Sequence, residues 1–210
     1  MIDTYLKERQ AESVGILDEM ADPTGKVFPH WQKLAAYYER VGDRRLIELA
    51  AEVERYLKEN GVTYNIYGDP QGLNRPWNLD PMPILIDQTD WLEIEKGVRQ
   101  RAELLNIILK DIYGSRKLIR QGFLPFELIY NHQGFLRQVD KVRLKGEHQL
   151  IQYAADLARG PNGKMWVLYD RTDAPSGSGY ALENRAAMTR VFPDLIRENH
   201  VRKLRTYFQT

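Results

Sequence analysis

Residues 153–185 read YAADLARGPNGKMWVLYDRTDAPSGSGYALENR, and the fold turns on how they pair. Two runs of β-type residues, Gln149–Arg159 and Lys164–Arg171, flank Gly160-Pro161-Asn162-Gly163, which is strong turn chemistry. The expectation is a hairpin. With those four residues as the loop, Arg159 faces Lys164 and Asp156 faces Val167. Cross-strand partners point to one face, and residues two apart share it. Asp156, Val167, Tyr169 and Arg171 would therefore line one face. Tyr153, Ala155, Leu157, Trp166, Leu168 and Asp170 would line the other.

The chain then enters a bend, Ala174-Pro175-Ser176-Gly177-Ser178-Gly179, before a stretch predicted to be helical, Tyr180–Phe192. Successive backbone N–H groups in a Gly/Ser turn can converge on an anion, and a helix N-terminus adds favourable partial charge. Ser176, Gly177 and Ser178 are thus candidate phosphate-binding positions, with Arg171 and Arg185 as nearby cations. Two plainer readings stand beside this one. An Asp–Arg pair at the end of a sheet is often structural, and many Gly/Ser loops bind nothing.

Outward from this stretch, the N-terminal third reads as helical. Pro29 and Gly42 bracket one helix, and Asp43 opens a second that stops before Gly61. Leu46, Leu49, Ala50, Val53, Tyr56 and Leu57 form one apolar face of the second helix. Val62–Asp69 turns to β-type residues, and Gly68–Pro83 is a long Pro- and Gly-rich loop of the kind that is often functional. Ile84–Asp87 reads as a short strand. A long helix is predicted from Thr89 to Tyr113, with Ile94, Val98, Ala102, Leu105, Leu109 and Ile112 on one face. Gly97 inside it costs about 1 kcal/mol against alanine, so a closely packed neighbour is expected there. Short helices are predicted at Ser115–Arg120 and Pro125–Tyr130.

The 210 residues include 43% hydrophobic and 28% charged side chains, ordinary for a globular protein with a real core. Thirty basic residues against 29 acidic ones leave a net charge of +1, which favours neither nucleic acid nor an anionic membrane as partner. Without cysteine there is no disulfide, thiolate metal site or thiol nucleophile. Neither a signal-type apolar segment nor a run of about 20 apolar residues is visible, so a cytoplasmic protein is expected.

Several long motifs occur in a recognisable order: GVTYNIYGDPQGLNRPWNLDPMP, WLEIEKGVRQRAELLNIILKDIYG, YAADLARGPNGKMWVLYDR, APSGSGYALENR and FPDL. Together they closely resemble the N-terminal part of the circularly permuted type 2 ATP-grasp proteins, from about Pro29 onward. Within that group they look most like the branch associated with an α-helical alpha-E domain. The resemblance implies an α/β (α+β) class: a partial ATP-grasp fold, with N-terminal helices followed by a mixed or antiparallel sheet and flanking helices. It places a helical segment at 1–61 and the N-terminal part of the permuted ATP-grasp domain at 62–210. It also implies ATP and Mg2+ as cofactors, and ligase chemistry like that of glutathionylspermidine synthase. ATP phosphorylates a carboxylate, and an amine then displaces phosphate to form an amide.

In the family pattern an Asp on one strand faces a Glu-x-Asn on the next, and these hold metal. Asp156 matches the Asp. Tyr169 stands at the Glu position and Arg171 at the Asn position, and a phenol and a guanidinium do not replace two hard oxygen ligands. Members of the family are usually longer, and a single portion is expected not to complete the reaction alone. The implied partners are the C-terminal ATP-grasp half and an alpha-E domain protein. An alternative is a non-catalytic scaffold derived from the same fold and serving that alpha-E partner.

Other motifs are weaker. His30, His132, His148 and His200 are scattered and lack i,i+4 mates, so they make no metal site. Gly68–Gly72 has no Walker lysine, and Ser176 lacks a nucleophile-elbow motif. Gln100 and Arg101 sit on the long helix, either as a solvated face or in contact with the nucleotide-side loop. Glu183 and Arg185 open the last long helix, where an ordinary ion pair competes with an anion site.

Overall fold

Helix α3 (Asp43–Glu59) buries Leu46, Leu49, Val53 and Leu57, the stripe expected from its spacing of three and four. The computed structural model that places it describes residues 2–12, 17–66, 68, 72–142 and 144–209. Before α3 come α1 (Ile2–Glu12) and α2 (Gln32–Val41), and after it the two-residue strands β1 (Thr63–Tyr64) and β2 (Arg75–Pro76). There follow α4 (Gln88–Ile112), α5 (Lys117–Arg120), α6 (Phe126–Tyr130), β3 (Ala154–Arg159), β4 (Met165–Arg171), α7 (Ser178–Val191) and α8 (Pro193–Glu198). The class is mixed α/β, largely helical with two small antiparallel sheets among the described residues, compatible with a partial ATP-grasp fold.

The chain forms two compact units. One comprises residues 1–86 and 176–210, and the other residues 87–175. In the first, α2 contributes Leu34, Ala35, Tyr37 and Tyr38, and α7 and α8 add Ala187, Met188 and Leu195, with Phe192 between them. These pack with the α3 stripe in one core. Leu34, Val53, Leu57 and Phe192 are each about 1% exposed or less, and burial of this kind is worth roughly 1.5–3 kcal/mol per side chain.

Residues 72–83 of the Pro-rich segment are bound to this core and do not run free. Tyr38 donates its hydroxyl to the Pro81 carbonyl, and Trp77 stacks on Tyr180 with ring centroids 4.3 Å apart. The Trp77 indole N–H donates to Asn184 Oδ1 of α7 at 2.7 Å. Of the Gly68–Gly72 turn, residues 69–71 lie outside the described residues.

In the second unit, α4 is capped by Asp87, whose side chain accepts from the Asp90 N–H at 2.8 Å. The expected strand at Ile84–Asp87 does not form. The segment pairs with no described strand, Ile84 is 71% exposed, and Asp87 is spent on the cap. The apolar face of α4 is as expected, but only Ile94 and Asn106 of the helix are fully buried. No neighbour crowds Gly97: a Cβ built there meets nothing within 4 Å. The expected close packing is absent because Gly97 lines a cavity of about 330 Å³ between α4 and the β3–β4 ribbon.

The hairpin forms with a different register. Arg159 pairs with Met165, so the connection holds five residues, with the Gly160 N–H donating to the Lys164 carbonyl at 2.8 Å. A bulge follows: Leu157 pairs with Val167 and Asp156 with Tyr169, leaving Leu168 as the extra residue. This corrects the assignment of faces. Val167 leaves the Asp156 face and joins Leu157 and Met165 toward α4. Trp166 and Leu168, expected beside Leu157, are 58% and 67% exposed on the outer face. Beyond the bulge the alternation shifts back, so Tyr169 and Arg171 still point outward with Asp156, while Asp170 turns toward α4.

Candidate functional site

The outer face of the ribbon holds the first group of candidate residues. Asp156 and Arg171 form a forked ion pair. Arg171 Nε reaches the two carboxylate oxygens at 3.0 and 3.1 Å, and Nη2 reaches Oδ2 at 2.7 Å. The guanidinium carbon lies 5.4 Å from the centre of the Tyr169 ring. Hydrogen bonding by Arg171 holds the Asp156 carboxyl below the usual aspartate range, and Asp156 raises the guanidinium in turn. Arg171 thus contacts both Asp156 and Tyr169, which the sequence puts on its face.

On the inner face, Asp170 accepts from Arg101 Nε at 3.0 Å and from Nη2, and also from the Tyr153 hydroxyl. These bonds lower the Asp170 carboxyl and raise the Arg101 guanidinium, while desolvation raises the Tyr153 phenol. Arg101 is thus neither a bare solvated residue nor, in this structure, a loop contact. It ties α4 to β4.

This donor set does not fit magnesium. The ion takes hard oxygen ligands in near-octahedral order. Here the carboxylate of Asp156 is forked by Arg171, the residue at the second strand position is a neutral phenol, and Asp170 faces away. Among the described residues no group of three His, Asp or Glu side chains is arranged to hold a metal, the four histidines included.

The bend and the start of α7 make the second group. Thr172–Ala174, Ser176 and Gly177 are exposed, and Ser178 is half-buried. Gly177 has φ +110°, a conformation that side-chain-bearing residues rarely adopt, and no side chain caps α7. The first N–H groups of a helix have no intrahelical acceptor. The α7 N-terminus thus offers uncapped donors beside an exposed turn. Arg185 lies seven residues after Ser178, two helical turns on and therefore on the same face. It is half-buried, desolvation lowers its guanidinium, and it donates one bond, from Nη1 to the Arg202 carbonyl at 2.9 Å. It makes no ion pair with any described residue, Glu183 included.

Asp156, Tyr169 and Arg171 belong to the second unit, whereas Ser176, Gly177, Ser178 and Arg185 belong to the first. Each group is thus positioned by its own set of elements.

Residues 83–210 match the family model described as circularly permuted ATP-grasp type 2, a span that holds both groups. The chain belongs to the circularly permuted ATP-grasp type 2 family. Proteins similar to this chain include an uncharacterised Mycobacterium tuberculosis protein, 38% identical over 189 residues. That match covers 86% of this chain and 21% of the relative. A Synechocystis protein is 34% identical over 147 residues, covering 70% of this chain and 31% of the relative. A Mycobacterium leprae protein is 32% identical over 190 residues, covering 90% and 33%. The ATP-grasp chain described here therefore spans roughly a fifth to a third of the length of these relatives.

Three contributors carry no clear signal in the sequence. Trp77 and Asn184 brace α7 two turns or fewer from the bend, and nothing in their spacing, 107 residues apart, announces a pair. Asn106 accepts from the N–H groups of Gln149 and Leu150 at 2.7 and 3.1 Å and so anchors the approach to β3. An amide inside the apolar run of α4 was the one available signal.

Proposed function

We propose that this chain is the N-terminal portion of an ATP-dependent carboxylate–amine ligase. Membership of the ATP-grasp family carries this reading, because such proteins generally bind ATP and magnesium. In the reaction class proposed, the terminal phosphoryl group of ATP passes to a carboxylate. The amine then attacks the acyl phosphate, and the amide forms as inorganic phosphate leaves. This chain's residues would take the phosphate-holding part of that work. The uncapped N–H groups at Ser178 and Gly179 and the unpaired charge of Arg185 suit a polyanion. Gly177 keeps the turn open. Arg171 is already neutralised by Asp156 and would contribute only if that pair opened.

A carboxylate and an amine substrate, a C-terminal ATP-grasp half and an alpha-E domain protein are the partners this reading requires. A second reading has its own support. The ion pair on Asp156 takes the one carboxylate that matches the family's metal ligands, and this favours a non-catalytic scaffold for an alpha-E partner.

Isothermal titration of ATP into this chain and into a full-length relative, with and without magnesium, separates the two. The ligase reading expects binding by the relative, and expects Arg185→Ala in this chain to weaken any binding about tenfold, the cost of roughly one charge-assisted hydrogen bond. Absence of binding by both proteins ends it. Capture of an alpha-E partner that is indifferent to ATP and to Asp156→Ala favours the scaffold.

A further inference from the structure

We propose that the outer face of the β3–β4 ribbon is a docking surface for a further polypeptide segment. The occupant is an extended stretch, apolar on one side, supplied by the part of the longer relatives that this chain does not span. The proposal rests on the reading of this chain as one portion of a larger ligase, and it names where the remainder binds.

Four observations carry it. First, the two faces of the ribbon are unlike. Leu157, Met165 and Val167 face α4, while Trp166, Leu168 and Tyr169 point outward and are 58%, 67% and 61% exposed. The bulge at Leu168 puts three large outward residues within four positions of β4, where strict alternation would allow two. Second, among the described residues no third strand pairs with either edge of the ribbon. The ribbon packs on α4 through one face only, and its open edge is a pairing template for an extended segment. Third, the unit holding the ribbon has little core of its own: Ile94 and Asn106 are its only fully buried residues among those described. Fourth, the relatives possess the polypeptide to cover it, since the matched region is only 21–33% of their length in the three compared.

The chemistry of the occupant follows. Opposite Trp166 and Leu168 it must be apolar. Near Arg171 it must supply hydrogen-bond acceptors, because covering the Asp156–Arg171 pair removes its water and the remaining N–H groups then need partners.

The chain has no cysteine, so a single introduced thiol reports accessibility directly. Leu168→Cys, with Trp166→Cys as a second probe, is made in this full chain. The aligned positions are substituted in the full-length Mycobacterium tuberculosis relative, with its own cysteines removed. Maleimide labelling rates are measured in native buffer and in urea, with circular dichroism to establish folding. The expected result is near-denatured labelling in this chain and labelling slowed by about tenfold or more in the relative, as for a site that reacts only after opening. Equally fast labelling in the folded relative overturns the proposal. So does slow labelling in this chain: the face is then covered by the chain itself or, if dilution restores the rate, by a second copy. ATP is omitted throughout, so the docking result and the nucleotide-binding result can fail independently.

Discussion

Asp156 and Arg171 illustrate how one side chain redirects the chemistry of its neighbour. The carboxylate is held in its charged form by the forked guanidinium. Its folded-state pKa is lowered, so whatever stabilisation the pair gives is present above the ordinary aspartate value of about 3.9 and is lost as pH falls through the lowered one. NMR titration of Asp156 should therefore show a midpoint below the ordinary value, and Arg171→Gln should move it upward. An unmoved midpoint would mean that the fork is not formed in solution. Asn106 makes a stronger demand. It is 6% exposed and serves two backbone N–H groups. Asn106→Leu leaves both without an acceptor, and a loss of about 1–3 kcal/mol is expected in urea unfolding. Loss of stability without a change in the slope of the transition would mark a local effect of this kind.

At the scale of elements, α3, α4, α7 and the hairpin were readable because each carries its own local signal: a period of three to four, a cap, or turn residues between β-type runs. What was unreadable arose from pairing. The bulge at Leu168 and the five-residue connection reflect how the ribbon seats on α4, and no local pattern encodes that. Tyr169 and Arg171 lie on the side that the turn spacing predicts because two departures, the longer connection and the extra residue, together shift the register by two before position 169. Val167, Trp166 and Leu168 lie between the two departures, and their faces are opposite to those the turn spacing predicts. Ile84–Asp87 has the composition of a strand but serves as the lead-in to α4. Gly97 gives a direct test at this scale. Its position is helical and open on the Cβ side, so Gly97→Ala should stabilise α4 by up to about 1 kcal/mol in urea unfolding. Destabilisation would show that the cavity beside α4 closes in solution.

For the whole molecule, the difference between the two units decides the dynamics. The unit of residues 1–86 and 176–210 holds the continuous core from Leu34 to Leu195, whereas the unit of residues 87–175 buries little. Local opening free energies follow buried contact, so hydrogen exchange should be slower in α2, α3 and α7 than in β3 and β4. Equal protection in both would argue against separate cooperative units.

The chain passes between the units at 86/87 and again at 175/176, within the exposed bend. The larger unit is thus stitched from two distant stretches, with Phe192 and Leu195 of the later one packed among Leu34, Val53 and Leu57 of the earlier. A protease that nicks Thr172–Gly177 should therefore leave a species that still migrates as one particle under native conditions, and splits into two pieces only when denaturant dissolves that shared interior.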